Sequence, residues 1–538
     1  MWDVLPIEQK VEYKRMILAF ASLSEVFAQK AESNEEPNIY GPIINSKFQE
    51  TVFQKVFNAS AEDIGNTSYD VAISLNISEN REIKYLIGIK TFGINSGDQK
   101  IAQFKANHND WADIINQIEN NAKAIKNDKE KIDQINYDLY KKLALEIANL
   151  RNMRIKSSES NLKGFSIKLG DDNVESVYHV LMTSGKGEDP CIFVGEISYD
   201  KIKVENIEIL GCTGTKNPTN FKFTDGIHEY KFTPADSQLY MTFHNKEIVK
   251  EKWKVVYLDN PYELFLNIAN KLDKITENNE GKLANIVENK INSKIQKSFS
   301  WLLTNKDNEV EKFSGINLFY ALGSKLSNSN RTKRILSLKE KYQSKNMLSI
   351  IEDIDKYLKD SANKDSEKEK KEKFRREIIS RIDKIDDIKF EEDTKKLLFR
   401  NTKEVYIAIP KSKEFHKNNP TFFIQTNKKF FKDDGKFTIS KEERTFDLVF
   451  EPSGEKVKAH ITQEYGKAIA TQDDQGILGK WILHDIFQLK PYEPLTRKRL
   501  EEIGLNGVRL YKLEDEDAVH IQFIWIDIEN LPLDYVNK

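Results

Sequence analysis

The chain has 538 residues, of which 39% are hydrophobic and 31% are charged, and its formal net charge at pH 7 is −2. This length is sufficient for two or three domains with a large core, and the composition is that of a polar globular protein. Because the total charge is close to zero, any surface that binds nucleic acid has to be a local patch.

The cysteine content excludes two classes of small scaffold. Only Cys191 and Cys212 occur, without CxxC spacing or a neighbouring histidine pattern. This argues against a structural zinc site and against a disulfide framework, and it indicates a reducing compartment. The sequence also lacks a signal-peptide pattern and any apolar run near the ~18 residues that span a bilayer. We therefore expect a cytoplasmic protein that does not enter membranes.

The segment 68–92, SYDVAISLNISENREIKYLIGIKTF, carries the first chemical signal. Its pattern predicts a strand over 69–75, a polar loop, and a second strand over 83–92. Asp70 stands at the head of the first strand and Lys90 near the end of the second. A carboxylate and a lysine at one sheet edge can hold a divalent metal and stabilise charge on a phosphate. Upstream, 45–58 predicts an amphipathic helix that carries Glu50.

The remaining chain predicts a mixed α+β and α/β protein. Residues 107–153 are helical and charged, 165–259 are β-rich, and 262–393 are helical and very polar. The C-terminal part predicts a small pseudobarrel in which Thr496 caps a helix. Its predicted helices cover 478–488 and 497–503, and its predicted strands cover 405–410, 421–425, 436–440, 446–450, 457–463 and 519–525. The predicted domains are 1–260, a helical connecting region 261–400, and 401–538.

The two N-terminal strands resemble the core of the PD-(D/E)XK nuclease superfamily, in which a strand aspartate is followed by a strand reading apolar-acid-apolar-Lys. Here that strand reads Leu86-Ile87-Gly88-Ile89-Lys90-Thr91, so Gly88 replaces the acid that is normally a second metal ligand. Some members carry the missing acid on the preceding helix. The resemblance therefore implies Glu50, Asp70 and Lys90 as catalytic residues, with Mg²⁺ held by Glu50 and Asp70. It also implies a supporting role for Gln103, the polar residue after the lysine strand.

Two other interpretations of these residues stay open. The run Glu82-Ile83-Lys84 matches the acid-x-Lys motif of the superfamily, but it lies at the start of its strand. The apolar run 85–89 would then follow the active residues and not precede them. The ordinary alternative is a sheet protein without this chemistry, because an aspartate and a lysine at strand ends are common in any sheet. On that view Gln103 is a surface amide.

The C-terminal strings EVYIAIP at 404–410, GKAIATQDDQGILGKWILHDIFQL at 466–489 and TRKRLEEIGLNGVRLYKL at 496–513 are similar to the C-terminal domain of NgoFVII-type restriction endonucleases. The resemblance implies a fold like the plant B-three DNA-binding domain, a pseudobarrel that grips the major groove with two arms. The nuclease half of that family is phospholipase-D-like and bears HxK motifs. This chain has one HxK string, at 244–246, and not two, so a different catalytic domain would be attached to the same type of DNA-binding domain.

The candidate DNA-binding residues follow from the two arms. Lysines and hydroxyls position phosphates, glutamine and lysine bond to base edges, and aspartate accepts from cytosine. The ordinary alternative is a solvated loop whose lysines are balanced by nearby acids. The candidates are Lys411, Lys413 and Lys417 in the first arm, and Gln463, Lys467, Thr471, Gln472, Asp474, Gln475 and Lys480 in the second.

The two resemblances together predict a type II-like restriction endonuclease that cleaves double-stranded DNA with Mg²⁺. Expected partners are duplex DNA, a second protomer on that DNA, and a cognate methyltransferase or an ATPase. One alternative is a sequence-specific DNA-binding protein with an inactive nuclease core, which Gly88 favours. The other is a partner-dependent assembly or defence protein, which the long charged helices favour.

Overall fold

A computed structural model describes most of the chain as two compact units. The described residues are 1–27, 41–61, 68–78, 81–125, 128–165, 173–277, 295–303, 328–360, 365–399, 401–403, 405–424, 438–462, 466–471, 475–493 and 495–537. The first unit comprises Met1–Ser300, Val449–Glu455 and Leu500–Tyr535, and the second comprises Trp301–Leu448, Lys456–Arg499 and Val536–Lys538. The domain ranges 1–260, 261–400 and 401–538 stay predictions.

Helices and strands alternate along the described residues. The helices are α1 (Ile7–Ala21), α2 (Ser24–Phe27), α3 (Ser46–Phe57), α4 (Ala112–Ile125), α5 (Lys129–Lys163), α6 (Pro261–Glu277), α7 (Asn328–Lys341), α8 (Lys345–Lys359), α9 (Asp365–Ile382), α10 (Ile388–Leu398), α11 (Ser412–Asn418), α12 (Gln475–Gly479), which continues as a π-helix (Lys480–Ile486), and α13 (Arg497–Ile503).

The strands are β1 (Ser60–Ala61), β2 (Val71–Ser78), β3 (Arg81–Gly93), β4 (Gln99–Gln103), β5 (Asn173–Thr183), β6 (Cys191–Ser198), β7 (Glu208–Cys212), β8 (Phe221–Thr224), β9 (Glu229–Thr233), β10 (Gln238–Met241), β11 (Val249–Lys254), β12 (Ile295–Leu302), β13 (Ile407–Ala408), β14 (Thr445–Glu451), β15 (Glu455–Ile461), β16 (Ala468–Thr471), β17 (Gly507–Leu513) and β18 (Val519–Ile524).

The first unit is built on a mixed sheet with the order β1-β2-β3-β5-β6-β11. β2 and β3 are antiparallel, with Val71 opposite Ile87, whereas β3 and β5 are parallel, with Gly88 opposite Tyr178. A parallel pair needs a long crossover, and α4 and α5 lie between these two strands in the sequence. The predicted strands over 69–75 and 83–92 are confirmed.

Local capping explains where the flanking helices begin and end. The Asn45 side chain accepts a hydrogen bond from the Phe48 amide at 3.0 Å, which starts α3. The Asp128 side chain does the same for the Lys131 amide at 3.2 Å, which starts α5. α5 ends at Gly164, whose φ of +82° is a left-handed conformation that glycine adopts readily. α5 packs against a second sheet with the order β4-β10-β9-β8-β7.

The C-terminal strands form a curled half-barrel sheet with the order β12-β17-β18-β14-β15-β16-β13. This agrees with the predicted pseudobarrel at the level of a curled sheet. Helices α7–α10, which belong to the second unit, confirm the helical character predicted for the polar region. The Arg499 amide donates to the Thr496 hydroxyl at 3.2 Å, so the predicted cap of α13 is confirmed.

Two local predictions are wrong. The described residues 421–424 form no strand, because Phe422 and Phe423 pack against Phe415, and Phe423 also against Phe446, as an aromatic cluster. β12 is a strand inside the region predicted as helical. Its side chains are held by distant residues of the same unit: Ser300 Oγ donates to Asp534 Oδ1 at 2.8 Å. Of the predicted strand 436–440, residues 436–437 lie outside the described part, and 438–440 are not strand.

Hydropathy adds one observation about membranes. Among the described helices, none combines the length and the apolar character that crossing a bilayer requires.

A chain of polar side chains lies under the first sheet, inside an otherwise apolar core. The Thr91 hydroxyl donates to Gln49 Oε1, and the Tyr13 hydroxyl lies 3.1 Å from His179 Nε2. The rings of Trp2 and His179 are stacked, with centroids 5.2 Å apart. Burial lowers the pKa of His179 to about 3, and the nearby positive N-terminus adds to this effect. His179 is therefore neutral in the folded protein at ordinary pH.

We predict that acid destabilises the first unit through His179. In the unfolded chain the imidazole takes up a proton near pH 6.5, whereas in the folded chain it does so only near pH 3. The folded pKa is lowered, so stability is lost as pH falls below about 6.5. Between pH 7 and pH 5 the wild type should lose about 2 kcal/mol more than His179→Gln.

Urea unfolding followed by tryptophan fluorescence measures this difference. The control is His244→Gln, which removes an exposed histidine and should keep the wild-type pH dependence. Equal pH dependence in the wild type and in His179→Gln would contradict the prediction.

Candidate functional site

Asp70 is fixed to β3 by two hydrogen bonds that lie on either side of Gly88. Its amide donates to the Ile87 carbonyl at 2.9 Å, and its Oδ2 accepts from the Ile89 amide at 2.6 Å. The carboxylate thus extends the strand ladder at the point where β2 begins. Asp70 therefore lies beside position 88, where the superfamily resemblance implies an acid and this chain has a glycine.

The alternation of β3 places this site on one face of the sheet. Ile87 and Ile89 are buried in the core beneath α1 and α3. Lys90 points to the opposite face, where its ammonium lies 5.9 Å from the centre of the Tyr178 ring. Burial raises the pKa of Tyr199, and the charge of Asp70 contributes to that shift, so Asp70 is close to the same rings. The structure brings Asp70 and Lys90 to one face, around Gly88.

An aromatic ring occupies the space that a side chain at position 88 would need. A Cβ on Gly88 would lie 2.6 Å from Cδ1 of Tyr178 and 2.7 Å from its Cε1. Real Cβ atoms do not approach ring carbons that closely. The Tyr178 ring cannot move away freely, because it is stacked on Tyr199 with centroids 4.0 Å apart. An acidic side chain at position 88 is therefore incompatible with this packing.

Two buried arginines of α5 border the same face. The Arg151 guanidinium lies 5.0 Å from the centre of the Tyr199 ring and donates to the Asp200 carbonyl at 2.7 Å. Arg154 donates to the carbonyls of Glu502, at 2.5 Å, and Gln103, at 2.8 Å. Burial lowers the pKa of Arg154 to about 10, so it stays charged at neutral pH. Lys90 and Arg151 thus each lie over one ring of the Tyr178–Tyr199 stack.

Glu50 lies elsewhere. α3 packs on the opposite face of the sheet, where the neighbouring Gln49 is buried and bonds to Thr91. Glu50 itself is bonded to Lys47 at 2.8 Å. The structure does not bring Glu50 next to Asp70, because the sheet separates them.

The rival pair Glu82 and Lys84 and the predicted Gln103 have their own local contacts. Lys84 is buried and donates to the Leu162 carbonyl at 3.4 Å, near the end of α5, where a cation is favourable. Glu82 is half-buried at the start of β3. Gln103 lies on β4, and its Nε2 donates to the Asp236 carbonyl at 3.1 Å. These contacts account for Lys84 and Gln103 as supports of neighbouring backbone.

The described residues around Asp70 are a poor fit to a Mg²⁺ site, because Glu50 packs on the other face of the sheet and the Tyr178 ring fills the place of the second acid. Mg²⁺ is held by carboxylates and other oxygens, usually with several waters. Within the described part of the chain, no three acids, histidines or cysteines come together in a way that could hold a metal. Asp70 instead shares its face of the sheet with Lys90 and the Tyr178 ring.

The predicted DNA-binding residues divide by exposure. The side chains of Lys411, Lys413, Lys417, Lys467 and Lys480 are exposed, and Lys480 pairs with Asp485 at 3.3 Å. Thr471 is buried in β16, opposite Ala459 of β15, so it is not presented to a groove. Gln463, Gln472 and Asp474 lie outside the described residues. Gln475 begins α12, and its side chain also lies outside the described part.

The aromatic and basic residues that lie on the same face of the sheet as Lys90 were not predicted from the sequence. Arg151 and Arg154 carry a weak signal, since their spacing of three residues is helical, although the predicted helical segment ends at residue 153. Tyr178 and Tyr199 carry none, because only the parallel pairing of β3 and β5 places a tyrosine opposite Gly88.

We predict that Gly88 and Tyr178 are energetically coupled. Gly88→Ala forces a methyl group into the ring and should lower the free energy of unfolding by about 1–3 kcal/mol. In a Tyr178→Ala background the ring is gone, so the same change should cost at least about 1 kcal/mol less. Urea unfolding of the four proteins of this cycle measures the coupling.

The control for this cycle is Gly97→Ala, where a new Cβ meets no atom within 4 Å. That variant should unfold within about 0.5 kcal/mol of the wild type. Additive effects of Gly88→Ala and Tyr178→Ala would show that the ring does not exclude a side chain at position 88.

Comparison with known proteins identifies the C-terminal region. Residues 389–514 match the family model of the NgoFVII C-terminal B3-like DNA-binding domain. The match begins in α10 and ends just after β17, and it confirms the resemblance found in the sequence. A search of curated proteins finds no match to the chain. Residues 389–514 are therefore similar to a DNA-binding domain of a restriction enzyme.

Proposed function

We propose that this chain is a restriction-system protein that binds double-stranded DNA in a sequence-specific way through residues 389–514. The observation that carries this proposal is the family match to a B3-like DNA-binding domain. The exposed lysines of the two predicted arms supply the local positive charge that a nearly neutral chain needs for this task.

The chemistry of such a surface separates affinity from specificity. Lysine ammonium groups neutralise phosphates and release counterions, which gives affinity that falls as salt rises. Polar side chains beside them read base edges in the major groove. Lys411, Lys413 and Lys417 are exposed on or next to α11 and are suited to phosphates. On this proposal the predicted residues of the second arm, other than the buried Thr471, supply the base contacts.

We predict that the first arm contributes phosphate contacts. The triple variant Lys411→Ala, Lys413→Ala and Lys417→Ala should bind duplex DNA more weakly. Its salt slope should be smaller in magnitude by about 1 for each lost contact. Fluorescence anisotropy with a duplex of random sequence, titrated across salt concentrations, measures both quantities.

A charge-matched control removes three exposed lysines of the first unit, Lys55, Lys100 and Lys216. It should keep the wild-type affinity and slope if binding depends on the arm and not on total charge. A wild-type chain that ignores duplex DNA at low salt would overturn the proposal itself.

A second candidate is that the protein also cuts DNA as a type II-like restriction endonuclease with Mg²⁺. It is favoured by Asp70 and Lys90, which share one face around Gly88 in a mixed sheet flanked by helices, as the superfamily resemblance implies. Lys90 would stabilise charge on the scissile phosphate. In-line attack would leave a 5′-phosphate and a 3′-hydroxyl, again as the resemblance implies.

The poor fit of Mg²⁺ to the residues around Asp70 makes this the second candidate and not the first. Cleavage of both strands by one active site calls for two protomers or two binding events, so a homodimer on DNA belongs to this candidate. A methyltransferase that protects host DNA and an ATPase that assists cleavage belong to it as well.

We predict for this candidate that the protein yields discrete fragments from plasmid and phage DNA with Mg²⁺, and none with EDTA. Methylated and unmethylated substrates test whether base modification controls cutting. Lys90→Ala should lower the cleavage rate about 100-fold or more while DNA binding is retained. Lys55→Ala, a lysine far from Lys90 in the sequence, should cut normally. DNA that stays intact under every condition, with binding retained, would leave only the first proposal standing.

A further inference from the structure

We infer that His416 is a positioning residue for DNA binding, which fixes the two predicted DNA-contacting segments to each other. The segments are 411–417, which contains α11, and 466–471, which contains β16. This inference rests on the proposed function, since it concerns how the DNA-binding surface is held in shape.

The two segments meet at the dipeptide Gly466-Lys467. Strand pairing places Ala408 opposite Ala468, and the Ile409 amide donates to the Lys467 carbonyl at 2.8 Å. The chain then leaves the strand and forms α11. His416 returns from α11 to the same place, with its Nε2 lying 3.0 Å from the Gly466 carbonyl. The first segment is thus a loop whose two ends bond to two adjacent residues of the second segment, Lys467 and Gly466.

The His416 ring is suited to this contact because it is buried and uncharged. Burial lowers the pKa of His416, so the ring is neutral at ordinary pH. A carbonyl can only accept, so the ring's proton lies on Nε2 and His416 is the donor. The ring centroid lies 5.7 Å from that of Phe415 and 5.8 Å from that of Phe423. These rings hold the imidazole in place.

Gly466 is required by this contact for two reasons. Its φ of +60° is in the left-handed region, which residues other than glycine rarely adopt. A Cβ there would also lie 2.3 Å from His416 Nε2. The glycine therefore allows both the turn and the close approach of the ring.

The hydrogen bond between the two segments adds no charge to them. Lys411, Lys413, Lys417 and Lys467 are all exposed, as is Glu414, so the two segments together carry a net positive charge. Lys411 also has a φ of +40°, a conformation that persists only when its surroundings enforce it. A neutral hydrogen bond at the far end of the loop holds these lysines together without adding to their charge.

The test compares two variants of similar size in the full-length chain. His416→Gln keeps a neutral donor, whereas His416→Leu removes it. The wild type is first used to select binding sequences from a randomised duplex library, and affinity is then measured on the selected duplex and on a scrambled one. His416→Leu should bind the selected duplex about tenfold more weakly, which is about 1.4 kcal/mol, and discriminate less. His416→Gln should remain within about threefold of the wild type.

A matched structural control separates positioning from general stability. Phe422→Leu disturbs the same aromatic cluster through Phe415 and Phe423 but leaves the rings next to His416 and the hydrogen bond, so it should lower the melting temperature without the loss of discrimination. If His416→Leu does not fold, hydrogen–deuterium exchange of the wild type serves as the test. The segments 411–417 and 466–471 should then gain protection together when the selected duplex is added.

The outcomes distinguish this inference from the proposed function. A wild type that enriches no sequence and does not bind the library would overturn the proposed function. A wild type that selects a sequence, with a folded His416→Leu variant that binds and discriminates equally well, would overturn only the positioning role. Protection of one segment without the other would also overturn it.

Discussion

The close approach of the Tyr178 ring to the backbone of Gly88 is the constraint on which the N-terminal site depends. The ring fills the space above Gly88, and its stacking on Tyr199 provides an aromatic surface on which Arg151 rests. Since this stack leaves no room for an acid at position 88, Asp70 has no second carboxylate at that position. The same packing that stabilises the sheet thereby disfavours a divalent metal, because it removes one of the oxygen ligands that such a metal would use.

The two faces of this sheet differ in polarity, and this difference explains the position of Glu50. Beneath α3, the described face is mostly apolar, and it contains a buried polar chain in which the neutral amide of Gln49 and the neutral ring of His179 take part. A neutral group can be buried there at much lower cost than a charge. Glu50, one helical position on from Gln49, turns toward Lys47. The carboxylate of Glu50 is therefore paired with Lys47 and lies away from the strand that bears Lys90.

Much of this arrangement could be predicted from the sequence, and the rest depended on distant pairings. The sequence pattern correctly predicted the two strands, of which one begins next to Asp70 and the other carries Lys90. It could not show that Tyr178 fills the gap, since that ring comes from a strand about 90 residues later. β12 escaped prediction for the same reason: its partner Asp534 lies 234 residues away. Thr471 was predicted as a base contact from a similar string, but its burial depends on pairing with β15.

The two candidate activities depend on different sets of contacts, and each set lies within one unit. On the proposed functions, the DNA-contacting lysines belong to the second unit and are held by uncharged contacts, chiefly the bond from His416 to Gly466. Asp70 and Lys90 belong to the first unit and are held by β-sheet bonds and stacked rings. Neither set shares a side chain with the other. Substitution of an acid by glycine at position 88 could therefore abolish metal-dependent cleavage without changing any residue that is proposed to recognise DNA.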